Sequence, residues 1–211
     1  MKDHLSWPLD EKKYLRLDEV KKLLLSCKRA KTLALKTGRT VAIRDWFMIE
    51  LGLNTGLRVE EIRNLMVRDL NIQQNQASLV VRKGKGGKSR VVYINSGFKN
   101  TCRWFIGWKL SKGQETRAGD YLLTKNNGRQ LSKRALQKAF KRCVKRAGLS
   151  GYYSIHSLRH TYGTHLYMAS NHNLRLVQEQ LGHSSVRITE VYASLIDVDV
   201  QKAVERLYKP I

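Results

Sequence analysis

The chain has 211 residues, and its 40 lysines and arginines against 17 aspartates and glutamates leave a formal net charge of +23. Its 42% hydrophobic content supports a core, which excludes a disordered polycation, and its charge points to a polyanion, either nucleic acid or an anionic membrane surface. No apolar run reaches the roughly 18 residues of a spanning helix, and Met1 to Leu17 lacks the apolar stretch of a secretory signal.

Cys27, Cys102 and Cys143 are odd in number and scattered, which fits reduced thiols in an intracellular protein and not a disulfide framework or a zinc site. The only prolines are Pro8 and Pro210, and no repeat or low-complexity tract interrupts the interior. One domain is the simplest organisation. In chain order, Asp18 reads as the cap of a first helix, and the acid-free, basic residues 28–40 read as its end plus a loop. Val41 to Asn54 reads as an apolar helix broken by Gly56, and Val59 to Met66 as a short one. Residues 77–81 and 90–94 are β-rich and flank a glycine-rich turn, so they form a hairpin, with Tyr121 to Leu123 as a possible third strand. Ser132 opens a helix running to about Ala147, which Gly148 ends. Further helices are expected over 157–170, 174–181, 186–193 and 198–208. The expected fold is mainly α with a small antiparallel three-stranded sheet.

Two places concentrate the charge. Residues 125–146 hold nine cations and no acid, with an apolar stripe of Leu136, Ala139, Phe140, Cys143 and Ala147. Nine like charges on so short a stretch repel unless a polyanion neutralises them, so Lys133, Arg134, Lys138, Lys141, Arg142 and Lys145 are expected to contact nucleic acid. A solvated surface helix is the plainer reading. At the hairpin tip Arg82, Lys83, Lys85, Lys88 and Arg90 surround glycines that let the backbone approach a phosphate. Lys83, Lys88 and Arg90 are counted with the nucleic-acid contacts.

Three stretches suit phosphoryl transfer. In Thr55-Gly56-Leu57-Arg58-Val59-Glu60-Glu61-Ile62, Arg58 can pair bidentately with a phosphate, and Glu61 lies one helical turn on to hold it. In His156-Ser157-Leu158-Arg159-His160-Thr161, His156 and Arg159 share one helix face. The third is Leu181-Gly182-His183-Ser184-Ser185, with Tyr192 nine residues after His183. Singly each is weak: an ion pair, a structural histidine or a packed tyrosine would do as well. His156 and His160 have metal-ligand spacing but no carboxylate partner, so no metal is assigned.

Together with Gly84-Lys85-Gly86-Gly87-Lys88-Ser89-Arg90, these segments, in this order, resemble the catalytic domain of the tyrosine recombinases, the phage integrase or Xer-like site-specific recombinases. An ordered set of this kind is far more specific than any one of its parts. The likeness begins near residue 14, so residues 1–13 read as a tail and 14–211 as the catalytic domain; the family's separate N-terminal DNA-clamping domain is not expected in this sequence, which is either a minimal member or a fragment of a longer one. The resemblance implies cleavage and rejoining of DNA through a 3′-phosphotyrosyl bond. Arg58 and Arg159 would hold the scissile phosphate and Tyr192 would be the nucleophile. Lys85, with Lys83 and Lys88 as rivals on the same tip, would protonate the leaving 5′-oxygen. His156 would take the tyrosine proton, His183 would hydrogen-bond the phosphate, and Glu61 would support the site from behind. A phosphodiester is retained throughout, so the resemblance implies neither ATP nor a metal cofactor.

The implied partners are double-stranded DNA with inverted-repeat sites and three further copies of the chain in a tetramer. A Holliday junction would be the intermediate, and accessory DNA-bending proteins could assist. The segment 197–208 would dock on a neighbouring copy, or else pack on its own domain. The implied location is the cytoplasm, at the nucleoid, in a prokaryotic or mobile-element setting. Two alternatives stay open: a type IB topoisomerase-like relaxing enzyme, and a non-catalytic DNA-binding regulator that keeps the fold.

Overall fold

A computed structural model describes residues 13–82 and 89–182. Helix α1 (Leu17–Lys36) carries Asp18 and Glu19 in its first turn and Lys36 in its last, matching the helix dipole at both ends. The expected cap at Asp18 is displaced: Glu19 accepts from the Arg16 amide (2.9 Å), and Asp18 pairs with Lys22 (3.3 Å). The basic stretch expected as a helix end plus a loop is helix as far as Lys36, because Leu23, Cys27 and Ala34 recur on one buried face. Only residues 37–40 are left to connect.

Helix α2 (Val41–Thr55) runs through the core and buries Ile43, Trp46, Phe47, Met48, Ile49 and Leu51. It ends at Gly56, whose φ of 59° is the left-handed conformation that glycine adopts without strain. A side chain there would also strike the Tyr162 ring. Helix α3 (Val59–Asn64) follows at once. A three-stranded antiparallel sheet comes next, in the order β1 (Leu70–Asn71), β2 (Ser78–Val81), β3 (Arg90–Tyr93), with Leu70 opposite Leu79 and Val80 opposite Val91.

The third strand is therefore Leu70–Asn71 and not Tyr121–Leu123. Tyr121 makes only an isolated bridge to Met66. Leu122 and Leu123 are buried, held by the amino group of Lys109, which donates to the Tyr121 and Leu122 carbonyls (2.9 and 3.2 Å). Lys109 sits on α4 (Ser96–Ser111), a helix the sequence reading passed over. Its signals were an Asn95 cap, which accepts from the Phe98 amide (2.8 Å), and apolar residues at 98, 102, 105 and 108. Phe105 stacks on Phe47 with centroids 3.8 Å apart.

Helix α5 (Lys133–Arg146) starts where expected: the Ser132 hydroxyl accepts from the Ala135 amide (3.2 Å). Its stripe of Leu136, Ala139, Phe140 and Cys143, joined by Val144, is buried. Helix α6 (His156–Ala169) crosses α2 closely at Gly52, where an added Cβ would lie 2.6 Å from Leu158. Helix α7 (Leu174–Leu181) ends at Gly182, φ 66°. A small cluster of Tyr167, Val177 and Leu181 packs α7 on α6 beside the main core. All three cysteines are buried and unbridged. The expected segments 186–193 and 198–208 lie outside the described residues. Among those described, no helix is long and apolar enough to cross a membrane.

Candidate active site

The left-handed turn at Gly56 ends α2 and sets Arg58 at the start of α3, with Glu61 three residues on. Glu61 accepts from the Arg58 amide at Oε2 (2.8 Å) and from Arg58 Nη1 at Oε1 (3.0 Å). Arg90 then arrives from β3 and donates Nη1 to Oε1 (2.8 Å) and Nη2 to Oε2 (2.9 Å). A carboxylate has about four lone-pair sites, so Glu61 is saturated. Burial would raise its pKa, but the hydrogen bonds and charge of Arg90, the Arg58 amide and the charge of Arg159 outweigh this and hold it at about 2.

Arg159 lies on α6 with 7% of its surface exposed. It donates Nη1 to the Gly56 carbonyl (2.7 Å) and Nη2 to the Leu181 carbonyl (2.8 Å). One guanidinium thus ties the segment before Arg58 to the segment before His183. Arg90 reinforces the seam by donating Nε to the Gln180 carbonyl (3.2 Å). Gly182 lies flush against it: a Cβ there would fall 2.5 Å from Arg90 Cδ. The Gln180 side chain accepts from the Tyr93 amide and the Tyr162 hydroxyl (3.2 and 3.3 Å), closing the same seam.

His156 opens α6. Partial desolvation, then the charges of Lys133, Arg159 and Arg58, keep its pKa below the ordinary value, so it is neutral and able to accept a proton near pH 7. His160, one turn on, is pushed down to about 4 by burial and then by Arg159, His156 and Lys13. Its Nδ1 is buried without a hydrogen-bond partner.

Arg58, Glu61, His156 and Arg159 are therefore gathered into one electrostatic neighbourhood. Lys83, Lys85, Lys88, His183 and Tyr192 lie outside the described residues. Arg90 departs from expectation: it was counted among the DNA contacts, but its side chain is 12% exposed and bound to Glu61. Nothing local in the sequence pairs two residues 29 positions apart.

The basic helix α5 is also divided. Arg142 donates Nε and Nη2 to Asp45 of α2 (3.1 and 2.9 Å), and Asp45 is 4% exposed. The counter-ion absent from the segment comes from another helix. Lys141 donates to the Gly151 and Tyr153 carbonyls (2.6 Å each) and so holds the turn before α6. Lys133, Arg134, Lys138 and Lys145 are exposed. In α1, Lys31 lies over the rings of Trp46 and Trp104, 3.8 and 4.3 Å from their centroids.

Several known proteins are similar to this chain in sequence or in fold. The chain is 31% identical over 194 residues to tyrosine recombinase XerC of Caldanaerobacter subterraneus subsp. tengcongensis, a match covering 92% of the chain and 50% of that protein. It is 32% identical over 193 residues to tyrosine recombinase XerD of Oceanobacillus iheyensis, covering 90% and 61%. The chain thus spans roughly half the length of the curated relatives it matches. Of solved structures, the XerH site-specific recombinase bound to its difH substrate in a pre-cleavage complex aligns with a TM-score of 0.75 at 26% identity, over 96% of this chain and 56% of that one. XerA recombinase aligns at 0.72 with 24% identity, a likeness of fold, over 94% of this chain and 66% of that one. Residues 13–197 match the model of the phage integrase family, and with so much of the sequence accounted for, the chain belongs to that family.

Proposed function

We propose that this chain cuts and rejoins DNA at specific sites through a covalent tyrosyl intermediate. The observation that carries the reading is the pair Arg58 and Arg159, joined through the Gly56 turn and both bearing on His156. Two fixed guanidinium groups suit a phosphodiester, and suit still better the extra charge of its pentavalent transition state. The relatives named as tyrosine recombinases, and the neighbour solved on its DNA substrate, support it.

In this reading Tyr192 Oη attacks phosphorus and gives its proton to His156. The bond from phosphorus to the 5′-oxygen breaks, and Lys85 protonates that oxygen. The 3′-phosphotyrosyl ester keeps the phosphodiester energy, so a 5′-hydroxyl from a second duplex can reverse the step. Arg58 and Arg159 neutralise the non-bridging oxygens and His183 donates to one of them. Exposed Lys133, Arg134, Lys138 and Lys145 hold the phosphate backbone. Four copies on two inverted-repeat sites would exchange strands through a Holliday junction.

The test uses a pool of duplexes nicked within randomised inverted repeats. Wild type should yield a DNA-linked protein band that survives denaturation, and Tyr192→Phe none. An adduct from Tyr192→Phe removes that residue as nucleophile, and no adduct from wild type overturns the reading. Strand exchange between two selected sites, against relaxation of one supercoiled plasmid, separates recombination from a topoisomerase activity.

A further inference from the structure

Arg90 belongs to neither group of cations recognised so far. It is not available to a DNA backbone, since its side chain is 12% exposed and each of its three nitrogens already donates to a protein oxygen. It is also more than a generic surface ion pair. Two of its three contacts fall on the same carboxylate that grips Arg58, one on each oxygen.

The division of Glu61 is the telling feature. Of its four acceptor positions, two go to Arg90, one to the Arg58 amide and only one to the Arg58 guanidinium. A guanidinium has five N–H donors in a planar fork. Arg58 spends one of them on Glu61 and stays 28% exposed, the most open of Arg58, Glu61 and Arg90. A buried carboxylate that lost Arg90 would be left with unfilled acceptors at 7% exposure, an expensive state. The nearest cation able to fill them is Arg58, through the bidentate pairing that carboxylates and guanidiniums favour.

Resting on the proposed strand-cleavage reading, we propose that Arg90 is a positioning residue for that reaction. It occupies two acceptor sites of Glu61 so that Glu61 fixes Arg58 through a single guanidinium contact and leaves the rest of the fork to the scissile phosphate. Arg90 touches no DNA. It acts through Glu61 on Arg58, and its Nε bond to Gln180, with its contact at Gly182, registers the end of α7 against the same carboxylate.

The experiment measures covalent-adduct formation at saturating protein on one duplex selected from the nicked pool, together with the salt dependence of binding to that duplex. Arg90→Met should slow adduct formation about a hundredfold, the scale of losing one oriented donor at a reacting oxyanion. The salt slope of binding should not change, whereas loss of a phosphate contact would reduce it by about one. Adding Glu61→Gln to Arg90→Met should recover about tenfold of the rate, since a neutral amide no longer captures Arg58.

A merely structural Arg90 would show no such rescue, because the second substitution only removes more bonds. Should Arg90→Met fail to fold, Arg90→Lys keeps the charge but cannot span both oxygens, and should be about tenfold slow. Wild-type rates in a folded Arg90 variant, a fallen salt slope, or a double variant no faster than the single one would each overturn the proposal. Wild type forming its adduct in those same assays would leave the strand-cleavage reading intact.

Discussion

Acidification should dismantle the Arg58–Glu61–Arg90 cluster, and one carboxylate sets the free energy involved. Glu61 has an ordinary value of 4.5 and is held at about 2 in the folded chain. A depressed carboxylate stabilises the fold fully above its unfolded value, and that stability drains away as pH falls towards the folded one. At about 1.4 kcal/mol per unit, the group contributes about 3 kcal/mol at neutral pH, of which about 2 kcal/mol is gone by about pH 3. Solvent screening removes little of this, since the Glu61 side chain is 7% exposed.

Urea unfolding of wild type and Glu61→Gln, stepped from about pH 6 to about pH 3, reads the difference directly. Glu61→Gln should be the weaker protein at the upper end, because two guanidiniums lose their anion. The gap should close by about 2 kcal/mol over the acid half of the range. Groups common to both proteins, His160 among them, cancel. A gap constant to within about 0.5 kcal/mol would mean that Glu61 is not held by the cluster as described.

The division of the basic helix predicts separable phenotypes. Arg142→Met strands Asp45, which is 4% exposed, and should lower stability by about 2 kcal/mol, or about 4–8 °C in Tm, after allowing for the solvation of a half-exposed arginine. Lys138→Ala and Lys145→Ala should leave Tm unchanged and each reduce the salt slope of DNA binding by about one. The reverse assignment would refute the division. His160, depressed from 6.5 to about 4, makes stability rise with pH through that interval, because the unfolded chain takes up the proton first. His160→Gln should flatten the stability curve between those values by about 2–3 kcal/mol, and an unaltered slope would show that the imidazole is not desolvated as placed.

Local chemistry was legible in the sequence. Ser132 caps α5, the bounds of α7 match, and the hairpin strands pair as their β-branched runs implied. The spacing of Arg58 to Glu61 and of His156 to Arg159 placed those residues on helix starts, where they are found. What failed were inferences made from charge without knowledge of neighbours. The acid-free residues 28–40 read as a helix end plus a loop, whereas the helix runs on to Lys36, because the cations mask the buried face of Leu23, Cys27 and Ala34. Arg142 looked unpaired because Asp45 is 97 residues away, and Arg90 looked like a hairpin-tip cation because Glu61 comes from another element. The two-residue strand β1 carries too little pattern to announce itself. Helix α4 is legible from its Asn95 cap and its apolar period alone, and carries neither a motif nor a cationic cluster.

The two carbonyls held by Arg159 have a kinetic meaning as well as a geometric one. Lifting the end of α7 away from α2 would take an acceptor from a guanidinium that is 7% exposed and leave the Leu181 carbonyl without its donor. Such an opening carries a desolvation penalty of about 1–3 kcal/mol or more, so short excursions at this seam are suppressed. The amides around Gly56 and Gly182 should then exchange with solvent only in openings that release both helix ends together. The chain that enters the candidate site and the chain that leaves for residue 183 are in this sense a single cooperative unit, with an arginine as its hinge pin.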